Sequence, residues 1–386
     1  MRSVTPTALP PPSIFATIGA LARRHDAVNL GQGFPDFAPD EALTERLAYH
    51  ARHSSHQYAP PAGVPALLGA IAAKVRDTQG VRLDAAAEVN VTSGATQAIW
   101  TAIQSVIETG DEAIVLEPAY DSYAPAVRSR GGVVVPLALR GPGFRVDWAR
   151  FAERLTPRTR LVVVNNPHNP TGTCLRDGDL RELSRLLADT DVLLLSDEVY
   201  EHLVYDGREH LSVLRYPGLR RRAFVTSSFG KTFHVTGWKV GYVVAPPELM
   251  RRFRAFHQFT VFTVNTPAQY AIADHLADPE HYASLPAFFE EKRDRLAAAL
   301  APTSLRLLPS AGSYFALADY SAVSDEPDGR FAERLITEHG VATIPISPFY
   351  TEAAPGHQRY VRLCFAKRPG TIAAAAERLG VIRGPG

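Results

Sequence analysis

Cysteine is nearly absent from this chain, which holds only Cys174 and Cys364. Two thiols cannot build a disulfide framework, nor a zinc site by themselves. They read as reduced thiols of a cytoplasmic protein. No uninterrupted apolar stretch is long enough to span a bilayer, so no membrane partner is expected. The N-terminal stretch does not read as a signal peptide: Arg2 leads into a Pro-rich run, and the apolar run Ile14 to Ala22 is short and broken by Gly19. There is no basic block and no acidic tail. With 41 Lys and Arg against 40 Asp and Glu, net charge is +1, which argues against nucleic acid or an anionic membrane as the main partner. His50, His53 and His56 are spaced three apart, but no neighbouring carboxylate or Cys completes a ligand set. They read as a polar helix end, and no metal is expected.

Lysine is the sharpest scarcity. Of the 41 basic residues only Lys74, Lys231, Lys239, Lys292 and Lys367 are lysine; the other 36 are arginine. A lysine amine can lose its proton and attack a carbonyl, and arginine cannot. Lys231 and Lys239 share one segment, Ser227 to Tyr242. Lys231 is therefore a candidate Schiff-base residue; the plainer reading is an ordinary surface charge in an Arg-biased chain.

The 386 residues exceed what one core usually serves, and 46% hydrophobic with 21% charged residues describe a globular protein. Helical and strand patterns alternate. Val64 to Gln79 is amphipathic, with Pro65 near its start and Gly80 beyond its end. Short strands are expected at Glu88–Thr92, Glu112–Leu116, Val133–Leu137, Leu161–Val164, Val192–Leu195, Ala223–Thr226 and Val240–Ala245. The apolar runs among them suit strands buried on both faces. The expected fold class is α/β, a mostly parallel central sheet with helices on both faces, plus a smaller α+β domain. After Pro246 the pattern changes to long helical stretches, Glu248–Leu276 and Leu285–Leu300, then short strands at Leu305–Leu308, Tyr314–Leu317 and Tyr360–Cys364. The expected division is a large domain over 41–285 and a small domain made of 1–40 and 286–386.

Ligands of α/β sheets bind where strands end. Four strand ends here are unusual. Ser93-Gly94-Ala95-Thr96-Gln97 opens a helix, where free amides and hydroxyls suit a phosphate, or where Ser93 is a plain N-cap. Asn165-Asn166-Pro167-His168-Asn169-Pro170 stiffens a turn and fixes Asn169, whose amide can donate to a ligand oxygen. Asp197-Glu198-Val199-Tyr200 ends a buried strand with a carboxylate that needs a partner, such as a ring N–H⁺, unless it caps a helix. The fourth is the lysine segment, where Ser228 and Lys239 can serve a phosphate. Together these are the needs of pyridoxal 5′-phosphate, whose ring accepts the electrons of a carbanion.

At these residues the chain resembles the fold-type-I, class I/II aminotransferases over nearly its whole length. The resemblance is nearest to the kynurenine/glutamine transaminase branch, which includes bacterial methionine aminotransferase. It rests on Asn29-Leu30-Gly31-Gln32-Gly33-Phe34-Pro35-Asp36-Phe37, Gln57-Tyr58, Glu117-Pro118-Ala119-Tyr120-Asp121-Ser122-Tyr123, Asn166-Pro167-His168-Asn169-Pro170, Asp197-Glu198-Val199-Tyr200, Gly237-Trp238-Lys239-Val240-Gly241 and Val361-Arg362-Leu363-Cys364-Phe365. The resemblance implies that Lys231 carries the cofactor, Asp197 pairs with its ring nitrogen, and Asn169 and Tyr200 bind its ring hydroxyl. It implies that Tyr120 stacks on the ring, and that Ala95, Thr96, Ser228 and Lys239 hold the phosphate. It further implies that Tyr58 reaches the phosphate of a neighbouring subunit, hence a homodimer. Arg362 would bind the substrate α-carboxylate, Gly33 would line the substrate pocket, and Phe262 would enter it from the other subunit. Lys239 stands where many class I enzymes have Arg, and His234 is unusual in the wider class. Both features are shared with the branch.

The implied activity is ping-pong transamination between amino-acid and 2-oxo-acid substrates, with Lys231 as proton shuttle. Substrates are expected to be neutral (methionine, aromatic amino acids, kynurenine or glutamine), because no second Arg stands out for a side-chain carboxylate. Ile14, Phe15, Tyr120 and Phe262 are the pocket candidates. Two rival readings keep the scaffold: a cysteine-S-conjugate β-lyase and an N-succinyl-diaminopimelate aminotransferase.

Overall fold

The expected β-branched and leucine-rich runs form one seven-stranded sheet. In the computed structural model, which describes residues 13–53, 56–352 and 358–382, its order is Val89–Thr92, Gly241–Val244, Ala223–Ser228, Leu193–Asp197, Thr159–Asn165, Glu112–Glu117, Val133–Ala138. All neighbours are parallel except at Gly241–Val244, which runs antiparallel to both of its partners. Helices between successive parallel strands cover the sheet, as crossover connections require. The central strands are therefore buried on both faces, and Val162, Val163, Leu194 and Leu195 are all inaccessible to water.

Two strands run further than their apolar stretches predict, and the extension matters. Thr159–Asn165 and Leu193–Asp197 keep pairing through their polar ends, so Asn165 lies opposite Asp197 in register. The carboxyl ends of the parallel strands thus deliver Asn165, Asp197 and Ser228 to one rim of the sheet.

A second, four-stranded antiparallel sheet is built from Ile344–Pro345, Tyr360–Cys364, Phe315–Asp319 and Arg306–Leu307. Arg362 sits inside its second strand, opposite Leu317 and Ile344. The N-terminal segment joins this part of the molecule: Val28–Asn29 pairs in parallel with Val341–Ala342, and Leu30 exchanges backbone hydrogen bonds with Ala342 and Cys364.

The helical stretch expected over Glu248–Leu276 is two helices, Pro247–Thr260 and Thr266–Leu276. Local chemistry explains the break. The Asn265 side chain accepts from the Ala268 amide as an N-cap, and Pro267 occupies the first turn, where a missing N–H is harmless. Phe262 adopts φ +68° in the intervening turn, which ends the first helix. The helix over Pro65–Gln79 ends as expected, with Gly80 left-handed at φ +70°.

Candidate active site

The phosphate-like corner is made by three chain segments in close approach. Strand Val89–Thr92 passes through Ser93 into the helix Gly94–Val106, whose first-turn amides have no intrahelical acceptor. Ser93 is not a side-chain cap: its hydroxyl makes no cap bond, and its amide donates to Gln97 Oε1 at 3.0 Å. Gly94 has φ +71°, and a Cβ there would lie 3.2 Å from Lys239 Nζ. A Cβ on Gly241 would lie 2.6 Å from the Ser227 carbonyl and 3.0 Å from the Ala95 amide. Only glycine lets these backbones meet, and their meeting brings Ala95, Thr96, Ser228 and Lys239 around one point.

At the sheet rim Asp197 is buried, and its Oδ2 accepts from the Tyr123 hydroxyl at 2.6 Å. Its Oδ1 accepts from the Val199 amide at 3.3 Å, and Asn165 Nδ2 donates to the Asp197 carbonyl at 2.8 Å. Burial pushes the Asp197 carboxyl up to about 6, against the pull of Tyr123, the Val199 amide and the Lys231 charge. A carboxylate in this position is short of a cation.

Arg362 is 1% exposed. Its Nη1 donates to Asn169 Oδ1 at 2.8 Å and its Nη2 to the Gly31 carbonyl at 2.8 Å. The guanidinium lies 3.9 Å from the Phe315 ring centroid, while its buried Nε has no partner among the described residues. Asn169 is fixed in turn by its own amide, which donates to Asn165 Oδ1 at 2.7 Å. Because the Asn169 oxygen faces Arg362, its NH₂ is left to face a ligand oxygen.

Lys231 Nζ donates to the Tyr314 hydroxyl at 2.9 Å and to the Gly33 carbonyl at 3.2 Å. Burial lowers its amine to about 8, with Asp197 pulling the other way and Arg362 and Lys239 adding to the fall. The Tyr120 and Tyr200 phenols are raised by burial and stay protonated.

One cavity of about 320 Å³ is lined by Gly33, Ala95, Thr96, Tyr120, Asn169, Asp197, Tyr200, Ser228, Lys231, Lys239 and Arg362. Residues predicted from seven separated segments thus meet. Phe15 also lines it; Tyr58 and Phe262 do not. Those two are 82% and 41% exposed and meet edge-on, ring centroids 5.4 Å apart. His234 points away from the cavity into an aromatic cluster, 5.0 Å from the Phe37 ring centroid.

Sequence reasoning missed Tyr123, Tyr314 and Phe315. Tyr123 ended a motif already singled out, and its place after a strand was the available signal. Tyr314 and Phe315 lay in a predicted strand of the other sheet and carried no signal, because their partners are distant in sequence. Histidine pairing differs as well: His50 Nε2 lies 2.7 Å from Asp274 Oδ2, a carboxylate supplied by a distant helix. Asp40, His275 and His281 bring three donor atoms within 4.8 Å of one another. The two imidazoles stack at 3.7 Å and 18°, with His281 Nδ1 3.3 Å and His275 Nε2 3.9 Å from Asp40 Oδ2.

Residues 25–379 match the family model described as aminotransferase class I and II. The chain is 50% identical over 368 residues to methionine aminotransferase of Escherichia coli, covering 95% of each chain. It is 36% identical over 403 residues to kynurenine–oxoglutarate transaminase 1 of Rattus norvegicus, again covering 95% of each. The solved structure of N-succinyldiaminopimelate aminotransferase from Mycobacterium tuberculosis superposes with a TM-score of 0.93 at 37% identity, covering 96% of this chain and 97% of that one. With its fold, its cavity and this match over nearly its whole length, the chain belongs to the class I and II aminotransferases and is an enzyme of that family.

Proposed function

We propose that the protein moves the amino group of a neutral L-amino acid to a 2-oxo acid by ping-pong chemistry on pyridoxal 5′-phosphate. The residues fit the cofactor. The Gly94 and Gly241 approaches leave a cradle of helix amides, Ser228 and Lys239 that suits a phosphate dianion. Asp197, buried and short of a cation, suits a ring N–H⁺. The Asn169 NH₂ and Tyr200 suit a ring hydroxyl, Tyr120 suits stacking, and Lys231 suits covalent attachment. When bound, the cofactor supplies an aldehyde carbon and a cationic ring that takes up electrons released at the substrate Cα.

The chain's own groups do the rest. Arg362, preset by Asn169 and Gly31, offers its remaining N–H groups to the substrate α-carboxylate. Lys231, with its amine lowered to about 8, can take a proton from Cα and return it near neutral pH. Asp197 would hold the ring nitrogen of the bound cofactor protonated.

The substrate class rests on one observation: the cations lining the cavity, among the described residues, are Lys231, Lys239 and Arg362. All three have work on the cofactor or the α-carboxylate. Phe15, Phe34 and Ile99, with the uncharged Gln32 and Thr236, are among the other lining residues, which favours an uncharged side chain such as that of methionine, an aromatic amino acid, kynurenine or glutamine. A succinylated substrate would need a further cation. We also assign a homodimer, in which Tyr58 and Phe262 enter the partner's site, a cytoplasmic location, and domains at 41–285 and at 1–40 with 286–386.

The test is a half-reaction screen of the holoenzyme. Each amino acid is added without an oxo acid, and loss of the bound cofactor's visible absorbance is followed. Neutral donors should bleach the band and aspartate should not. Lys231→Ala should lose both the band and turnover, and a fully active alanine variant would sink the assignment. Pyruvate released from a cysteine conjugate without any acceptor would mark β-elimination instead.

A further inference from the structure

Tyr314 belongs to none of the motifs that define the site, yet its oxygen is 2.9 Å from the Lys231 nitrogen. It is fully buried, on the residue preceding strand Phe315–Asp319 of the small sheet. Its hydroxyl donates to the Gly33 carbonyl at 2.5 Å. That bond uses the only proton Tyr314 has, so toward Lys231 its oxygen is an acceptor. The Gly33 carbonyl has a second lone pair and accepts from Lys231 as well, at 3.2 Å.

The consequence follows from valence. A neutral amine has two N–H bonds and one lone pair. Here two acceptors, the Tyr314 oxygen and the Gly33 carbonyl, lie on one side of Nζ. The two acceptors are only 2.5 Å apart, so the N–H bonds straddle them in bent hydrogen bonds; the lone pair then lies away from both, and Lys231 otherwise borders the cavity. We propose that Tyr314 is a positioning residue for Lys231, turning the lone pair of its free amine toward the cavity where the carbonyl carbon and the substrate Cα–H must lie. This rests on reading Lys231 as the reactive amine. Tyr314 does not act as a base, since burial raises its phenol well above the ordinary value.

Several features keep the device in register. The Gly33 carbonyl is fixed because its neighbours are tied down: Lys367 Nζ donates to the carbonyls of Gln32 and Phe34 at 3.3 and 2.9 Å. The Tyr314 ring is held edge-on against Tyr200 at 5.1 Å and Phe315 at 4.8 Å between centroids. A side chain on Gly33 would meet the Phe315 ring at 2.6 Å, so this loop cannot shift or grow without disturbing the same group.

The test uses cofactor-free protein and a small aldehyde. Reductive methylation of Lys231 by limiting formaldehyde and cyanoborohydride is followed by peptide mass spectrometry from pH 6 to 10, with the exposed Lys239 as internal reference. The high-pH plateau reports how well the lone pair is presented, and the midpoint reports the amine's pKa. Tyr314→Phe should lower the Lys231 plateau roughly tenfold, about the cost of one lost positioning hydrogen bond, while Lys239 labelling stays unchanged. Tyr314→Leu, which also lacks the oxygen, serves the same comparison should the phenylalanine variant not fold. A plateau within about twofold of the parent overturns the proposal. Failure of the underlying reading looks different: borohydride reduction of the parent holoenzyme would then attach the cofactor to a residue other than Lys231.

Discussion

Lys231 and Asp197 are pushed toward neutrality from opposite sides by the same cause. Burial lowers the amine to about 8 and raises the carboxyl to about 6. For Asp197 the sign of the stability effect is definite. Its folded pKa lies above the ordinary 3.8, so between about pH 4 and pH 6 the folded state holds a proton that the unfolded state does not. Its contribution therefore worsens as pH rises through that window and is fully unfavourable above it. Asp197→Asn keeps the oxygen that accepts from Tyr123 and removes the charge. Cofactor-free Asp197→Asn should melt higher than the parent at pH 8, by on the order of 1–3 kcal/mol, with the gap closing toward pH 4. In the same variant the stabilisation gained on adding pyridoxal phosphate should shrink. Equal melting at pH 8 would show that the buried charge is already compensated. Arg362 makes a second case. Arg362→Lys keeps the charge but loses the planar fork that engages Asn169 and Gly31 at once. It should raise KM for amino donors by roughly 10- to 100-fold in steady-state assays, the equivalent of one or two charge-assisted hydrogen bonds.

At the scale of elements, two short segments decide whether the site assembles. The first is the opening of helix Gly94–Val106. Gly94→Ala places a Cβ at φ +71° and 3.2 Å from Lys239 Nζ, so both the backbone and the Lys239 amine must move. Fluorescence titration of the cofactor-free variant should show weaker pyridoxal phosphate binding, by roughly tenfold or more, with the overall fold retained. The second is the break between Pro247–Thr260 and Thr266–Leu276, whose turn carries the exposed Phe262. Asn265→Ala removes the N-cap and should cost about 1 kcal/mol in thermal or urea unfolding. An unchanged midpoint would mean that the break is held by packing alone. Strands were largely legible because apolar runs bounded by Gly, Pro and Asn mark buried strands. This helix break was hidden because both halves are built of helix-compatible residues, the first amphipathic and the second buried nearly all round, and a periodicity window spans a five-residue turn without noticing it.

Across the whole molecule, the scarce lysines turn out to be set into different structures. Lys231 and Lys239 face the cavity, and Lys367 secures the Gln32 and Phe34 carbonyls. Lys292 lies over Phe37 and Phe288, 4.4 and 4.6 Å from their centroids. Lys74 is buried behind the sheet, 2.6 Å from Glu201 and hydrogen-bonded to Tyr242. Burial alone would raise the Glu201 carboxyl, but the Lys74 charge wins and holds it below the usual carboxylate range. Lys74→Ala strands that carboxylate and should destabilise the fold by about 3–5 kcal/mol in denaturant titration. The exposed aromatics Tyr58 and Phe262, which meet edge-on, are the residues assigned to the partner's site. Light scattering should give twice the mass of one chain, and a monomer with full activity would remove Tyr58 and Phe262 from the site. The sequence by itself determined most of the elements and the chemistry on offer, because apolar periodicity, turn residues and side-chain type are local properties. It thereby determined the family, the α/β sheet and the residues at its strand ends. Tertiary structure alone decided which groups touch. Pairing Asn165 with Asp197, Arg362 with Asn169 and Gly31, and Lys231 with Tyr314 and Gly33 depends on strand register and on how the small sheet lies against the large one. Those contacts join residues up to hundreds of positions apart, and burial, which sets the protonation of Lys231 and Asp197, exists only once the chain has closed over them.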